Sequence, residues 1–412
     1  MDAKQTQTAP SINRKSLIFI IITIMLNTLG ITLIAPVAPF LVARYVSDPN
    51  SIGVAVGWLG STYAICQFIA APGLGALSDR FGRRPLLLLC LVGSAFGYLL
   101  LGVGGALWVL FLGRAIDGIT GANTSIMIAY IADIVPESQR SKYFGWIGAI
   151  GAASIVLGPA AGGLIAKFGY NVPFYVAGFV SLVNVVLGLL FMPESLAKAQ
   201  RAASITFAKL NPFATLKTVL MLPQLRWLLI AMFLYTLAIV IVPSNVGLFA
   251  RDHLHWDADS TGALFSVFGV MTILVQGGLL QWLLKRFRAA QITMGALIFT
   301  TAAFVVIALV VAVNTPLLMY GGIILFALGD GLTSPALLEL ITGATDASSQ
   351  GQVQGGSQSV QSLANIAGPV AAGFLYDHVG HAAPYLTGAG VVVLTFGAML
   401  LALPLLRTHL TP

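Results

Sequence analysis

Charge is what this chain has least of. Only 8% of its 412 residues are Asp, Glu, Lys or Arg, against 58% apolar, and a soluble protein of that size needs far more polar surface to cover it. Water is therefore excluded as the solvent for most of the molecule, and a lipid bilayer takes its place. Cysteine is nearly absent. Cys66 and Cys90 both lie inside apolar runs, where a thiol serves as a small hydrophobe, so neither a disulfide framework nor a metal site is expected. No H-E-x-x-H, G-x-S-x-G or G-x-x-x-x-G-K-[ST] pattern occurs, which argues against an intramembrane enzyme and against ATP drive. The chain reads as no enzyme, with no cofactor. Its formal net charge of +7 does not indicate nucleic acid, because the basic residues sit in short loops between apolar runs rather than along one helix face.

What is abundant is apolar length. Runs of about 20 residues, enough to cross the hydrocarbon core, fall at roughly 17–41, 53–77, 85–105, 107–132, 142–168, 172–192, 226–249, 259–284, 291–313, 315–342, 353–375 and 382–406. Backbone groups in lipid need internal partners, so all twelve are expected to be helices of an all-α, polytopic membrane protein. The first run is too long for a signal-peptide core and is expected to be retained. Of the 21 Lys and Arg, all but Arg44, Lys167, Arg251 and the intramembrane Arg114 fall on cytoplasmic segments if the N-terminus is inside. Both termini are then cytoplasmic. The polar interruption Pro193 to Leu225 carries Lys198, Arg201, Lys209 and Lys217. The expected organisation is a tail at 1–16, a six-helix bundle at 17–192, a linker at 193–225, a second bundle at 226–406 and a tail at 407–412. The halves look duplicated: Gly145, Gly158-Pro159 and Gly163 recur as Gly355, Gly368-Pro369 and Gly373 at one constant offset close to half the chain, as two related halves would give.

The densest charge lies in Gly75-Ala76-Leu77-Ser78-Asp79-Arg80-Phe81-Gly82-Arg83-Arg84, between the second and third runs. Gly75 and Asp79 share one helix face, where a small residue admits a close neighbour and the helix end presents a negative charge. The G-x-x-x-D-R-x-G-R-R spacing resembles the signature loop of the major facilitator superfamily. The second half keeps positive charge at Lys285-Arg286-Phe287-Arg288 but has no Asp or Gly there. Leu26 to Pro39, Gly113 to Asp133 and Leu157 to Leu164 resemble first-, fourth- and fifth-helix patterns of the drug/proton antiporter branch. His255-Trp256-Asp257 and Gln350 to Gly355 are similar to tetracycline/proton antiporters in particular. The resemblance implies two six-helix bundles around a central cavity, alternating access, and export driven by proton entry. It also implies that Asp133 is a charge partner for the Arg80/Arg83 loop. One departure stands out: that group carries aspartates in helices one, three and nine, where this chain has Asn27, Gly97 and Phe299.

The coupling carboxylate must then lie elsewhere. Arg114 and Asp117 sit one turn apart inside the fourth run, and Asp330 lies mid-way along the tenth, between Gly329 and Gly331. An ionised group at membrane depth is expensive and reads as functional. Asp117 with Arg114 is the first proton-coupling candidate and Asp330 the second; a permanent ion pair is the alternative for Arg114 and Asp117. Glu339 is a weaker candidate, placed to snorkel to the interface. Gly158, Pro159, Gly162 and Gly163 give the fifth helix a bend and a packing face and resemble the motif that marks exporters, with Ser154 at that motif's first glycine. Gln354, Gln358, Gln361 and Asn365 recur at helical spacing, and a stripe of amides faces a cavity or another helix rather than lipid. Asn27, Tyr63, Gln67, Asn123 and Tyr235 join them as substrate-cavity candidates, with interhelical hydrogen bonding as the alternative.

The expected function is a proton-coupled exporter of small hydrophobic or amphipathic compounds, a monomer in a bacterial inner membrane whose partners are substrate, protons and lipid. A metabolite or sugar transporter on the same fold is the alternative, since fold alone sets neither direction nor substrate.

Overall fold

The structure, a computed structural model, describes residues 14–204, 211, 213, 223–345 and 350–407, and among these every regular element is helical. The outer parts of both expected tails, and most of the linker after Ser204, lie outside the described residues. Twelve helical passes follow one another: α1 Arg14–Leu33, α2 Ile52–Phe81, α3 Arg83–Val103, α4 Leu107–Gly121 continued by Thr124–Ile134, α5 Glu137–Ala166 and α6 Val172–Phe191. The second set is α7 Pro223–Ile239 continued by Ile241–Leu254, α8 Ala258–Leu274 extended through Leu284, α9 Ala289–Ala308, α10 Pro316–Gly343, α11 Gln350–His378 and α12 Ala383–Arg407. Nine of these passes, among the described residues, are long and apolar enough to cross a membrane by composition alone. The other three are α4, which is broken, and α5 and α11, whose polar turns lower their mean hydropathy.

The breaks differ from the uninterrupted runs expected from sequence, and each has a local cause. The first run stops at Leu33 rather than continuing to residue 41, because Pro36 and Pro39 withdraw amide donors; a separate short helix, Ala38–Val42, follows with Pro39 in its first turn. The α4 break falls at Ala122 and Asn123. Between the two pieces of α8 the chain winds as a π-helix over Val275–Leu279, at Gly277-Gly278. The turn into α8 uses His255 in the left-handed region, φ 55°, and Asp257 as N-cap, accepting from Ser260 N at 2.8 Å. That amide holds the Asp257 carboxyl below its ordinary range.

The two halves meet along two seams, α2 with α11 and α5 with α8. Both seams are tight at the end of the molecule away from the Gly75–Arg84 loop. In the first, a β-carbon on Gly57 would strike Pro369 O, one on Gly373 would strike Gly53 O, and Ser61 Oγ donates to Ile366 O at 2.6 Å. In the second, a β-carbon on Gly163 would meet Ala258 O at 2.7 Å, and one on Gly262 would meet Pro159 O at 2.8 Å. Pro159 and Gly163 of α5 and their repeats Pro369 and Gly373 of α11 therefore serve the same purpose in each half, closing a seam by backbone contact, while Gly158 and Gly368 pack within their own halves. Toward the loop end the helices part. Among the described residues, β-carbons on Gly73, Gly145, Gly148, Gly151, Gly277 and Gly278 would meet nothing within 4 Å. Among the described residues, the hydrogen bonds and ion pair that join the halves all lie away from the loop end. The molecule is a cleft between two bundles, open on the side of the signature loop.

Candidate functional site

The signature loop is built as one charged knot within the first half. Gly82 links α2 to α3 at φ +107°, a conformation side chains rarely adopt, and a β-carbon there would overlap Glu194 Oε2. Arg83 ties the knot: its Nη1 pairs with Asp79 and donates to Ser78 Oγ at 2.7 Å, while its Nε donates to Asp133 Oδ2 at 3.3 Å. Arg80 instead lies over the Phe81 ring, 5.4 Å from its centroid, so Asp133 is held by Arg83 and Ser195, not by Arg80. Sequence reading missed Glu194. Its two carboxylate oxygens accept from the amides of Arg83 (2.9 Å) and Arg84 (3.3 Å), and Arg201 Nη2 lies 3.6 Å from it. It supplies the N-terminus of α3 with the acceptors that terminus lacks. A Pro-Glu-Ser directly after the sixth run was the available signal. Gly75 was expected at a close helix contact, but its nearest neighbour would be Ser125 Oγ at 4.0 Å, because this end of the seam is open.

Arg114 and Asp117 form a closed unit inside the first half. Arg114 Nη1 lies 3.4 Å from Asp117 Oδ2, Arg114 Nε reaches Leu59 O at 3.5 Å, and the guanidinium sits 4.5 Å from the Tyr63 ring centroid. Asp117 is 1% exposed and Arg114 6%. Tyr63 is buried beneath this pair, and Gln67 Nε2 donates to Tyr63 Oη (3.1 Å) and Gly121 O (3.2 Å). These two residues therefore belong to interhelical packing rather than to the cleft. Asn123 is also fully buried, at the α4 break, and its side chain has no hydrogen-bond partner among the described residues. Asn27 is half-buried on α1. On the adjoining face of α5, Gly158 packs on Thr32 and Gly162 on Leu33 O, while Thr32 Oγ1 donates to Ser154 O at 3.2 Å.

Asp330 is in different surroundings. It lines a cavity of about 190 Å³ whose walls are Ile239, Val240, Val242, Pro243, Leu264, Phe265, Phe268, Ile323, Phe326 and Asn365. Tyr235 Oη (2.9 Å) and Ser334 Oγ (2.7 Å) both donate to its Oδ1. Among the described residues no donor reaches Oδ2 and no cation pairs with the carboxylate. Tyr235, itself 2% exposed, is thus a holder of Asp330 rather than an open cavity wall. From α11, Gln354, Gln358 and Asn365 are exposed along one stripe, and Gln361 turns to Met232 Sδ at 3.7 Å. Glu339 is exposed near the end of α10 and lies outside this cavity.

The positions of the missing aspartates are informative. A β-carbon on Gly97 would come within 3.0 Å of Asp117 Cβ, so the α3 site is filled from α4. In the second half, a β-carbon on Gly329 would strike Thr300 Oγ1 and lie 2.7 Å from Thr300 N. The α9 site at Phe299 is thus one residue from the contact that places Asp330 on α10. In each half the acid stands one helix further along the chain. Sequence spacing alone could not reveal this, because it depends on which helices touch.

A family model described as Major Facilitator Superfamily matches residues 20–369. The chain is 32% identical over 396 residues to the class C tetracycline resistance protein of Escherichia coli, covering 96% of this chain and 97% of that one. It is 28% identical to multidrug resistance protein 2 of Bacillus subtilis (strain 168) over 94% of this chain and 95% of that one. Among solved structures, a bacterial homolog of the human lysosomal transporter Spinster, inward-facing and unoccupied, superposes with a TM-score of 0.74 at 16% identity, covering 98% of each chain. The POT family transporter PepTSo gives 0.75 at 12%, covering 97% of this chain and 99% of that one. At these identities the structures speak for the fold alone.

Proposed function

We propose that this chain, which belongs to the Major Facilitator Superfamily, is a proton-coupled exporter of small amphipathic cations, and that Asp330 is the group where proton and substrate exchange. The observation that carries this reading is a carboxylate without a cation, opening on an apolar, aromatic cavity. An unpaired buried carboxylate is stabilised either by a proton or by a cationic ligand. Competition between the two at one site couples their fluxes as antiport when the halves rock only with one or the other bound, since the bare charge is costly to carry through the closed state. Phe265, Phe268 and Phe326 suit the body of an amphipathic molecule, and Asn365 offers a directional polar contact. The full-length similarity to tetracycline and multidrug resistance proteins supports export of drug-like compounds.

The charge asymmetry of the loops supports a cytoplasmic signature loop and cytoplasmic termini, and the cleft described above is then open inward. In the outward-open state Asp79, freed from the side of Arg83, latches the start of α11, with Asp133 and Arg83 holding the loop rigid. The protein acts as a monomer in a bacterial inner membrane, and the seams act as hinges between the rocking halves.

The test is proton flux in liposomes holding a pH-sensitive dye, challenged with lipophilic cations. Wild type moves protons on substrate addition and Asp330→Asn does not. Full proton movement by Asp330→Asn would remove the proposed role.

A further inference from the structure

The external closure of the cleft contains a helix cap supplied from the opposite half. Helix α2 begins after Ser51, whose side chain makes no cap, and its first amides need acceptors from elsewhere. Asp377, in the last turn of α11, provides them. Its Oδ1 accepts from Gly53 N at 3.1 Å and its Oδ2 from Val54 N at 2.7 Å. Gly53 is the residue that admits this approach, since a β-carbon there would reach Asp377 Oδ1 at 2.5 Å. The neighbouring acid Asp48 does not compete, being committed to its own turn through Asn50 N (3.0 Å) and Ser51 Oγ (2.8 Å). We propose that Asp377 is the external latch of the transport cycle, a positioning residue whose bond to the N-terminus of α2 holds the outer side closed and is surrendered when that side opens.

Three features give this contact its weight. A carboxylate on a helix N-terminus forms charge-assisted bonds reinforced by the helix dipole. The contact joins the two halves, so it is intact only in the closed external geometry, and it biases the equilibrium by its full strength. It also sits at the outer end of a seam whose inner end carries the corresponding acid: Asp79 lies in the last turn of α2 as Asp377 lies in the last turn of α11. The two helices are antiparallel neighbours, each with an acid in its last turn; Asp377 lies on the start of α2, while Asp79 is paired with Arg83. Among the described residues, the outer of the two caps is the one that is made.

The latch rests on the alternating cleft, not on the identity of substrate or coupling ion, so it is tested without either. In protein with Cys66 and Cys90 replaced, Ala166→Cys places a thiol in the closed outer seam, where Ala166 is 6% exposed. Its alkylation from outside by a membrane-impermeant maleimide reports the fraction of molecules open outward. Asp377→Asn is expected to raise the alkylation rate about three- to tenfold, the effect of losing one charged cap. Ser51→Asp, which caps α2 locally and leaves Asp377 in place, raises it similarly and guards against a simple folding defect. Asp48→Asn leaves it unchanged. Wild-type rates in both Asp377→Asn and Ser51→Asp, or an equal rise in Asp48→Asn, would overturn the assignment.

Discussion

The two halves each carry one aspartate at membrane depth, and the two acids are handled in opposite ways. Asp117 is sealed against Arg114 with Tyr63 beneath, and both charged groups are almost wholly buried. Asp330 has two hydroxyl donors, no cation among the described residues, and an apolar cavity in front of it. Depth in the bilayer is the same kind of signal for both, so depth cannot separate them. The difference lies in whether charge has already been neutralised by the protein. A paired acid needs no ligand; an unpaired one calls for a proton or a cation. On the proposed reading, the acid of the first half supports and that of the second exchanges.

The largest break in this comparison comes from Asp330→Asn, which is expected to abolish substrate-triggered proton movement while leaving the folded protein intact, as judged by monodisperse elution in detergent. Asp117→Asn should do the reverse. It strands Arg114 in the interior and is expected to cost about 3–5 kcal/mol of stability, read as a lower melting temperature. Replacing Arg114 and Asp117 together by apolar residues recovers most of that loss. If Asp117→Asn instead melts like wild type and uncouples transport, the two acids have been assigned the wrong way round.

Tyr235→Phe sharpens the comparison more gently. It removes one of the two donors to the Asp330 carboxylate, so proton-coupled exchange measured in liposomes is expected to slow several-fold without being abolished. The corresponding change beneath Arg114, Tyr63→Phe, leaves that rate unmoved. Asp79→Asn is expected to slow turnover several-fold with ligand binding intact, and unchanged transport would remove the cytoplasmic latch. The smallest effect belongs to Lys167→Ala. Lys167 Nζ lies 2.9 Å from Asp259 Oδ2 across the second seam, but with the lysine side chain 55% exposed the pair contributes about 0.2–1 kcal/mol and is screened by salt.

Most of the architecture was legible in the sequence, because twelve apolar runs of bilayer length leave few alternatives to helices. The signature loop was legible for the same reason that makes it work: dense charge in a chain that otherwise avoids it. The duplicated glycines and prolines of α5 and α11 were visible as a repeat, and the purpose of Pro159, Gly163, Pro369 and Gly373, backbone contact with α8 and α2, needed the fold. The site was read less well. Arg114 and Asp117 stood out because they are charged neighbours along one helix, which is also what makes them self-sufficient. The standing of Asp330 depends on Tyr235 of α7 and on Phe265 and Phe268 of α8, which come near it only when those helices pack with α10. For Tyr63 and Gln67 the sequence left cavity lining and interhelical hydrogen bonding open, since periodicity reports a face without saying what covers it; in the fold Tyr63 lies under Arg114 and Gln67 bonds Tyr63 and Gly121 O. Glu194 escaped notice because its closest partners are the backbone amides of Arg83 and Arg84, so that the Pro-Glu-Ser after the sixth run was the one sequence sign of it.

The central claim is that Asp330 exchanges a proton for the substrate's positive charge. Proton release on ligand binding tests it most directly: purified protein in weakly buffered detergent solution is titrated with a lipophilic cation while the pH is recorded. The account predicts release by wild type and by the folded fraction of Asp117→Asn, and none by Asp330→Asn. Undiminished release from Asp330→Asn, or its loss in folded Asp117→Asn alone, would contradict it.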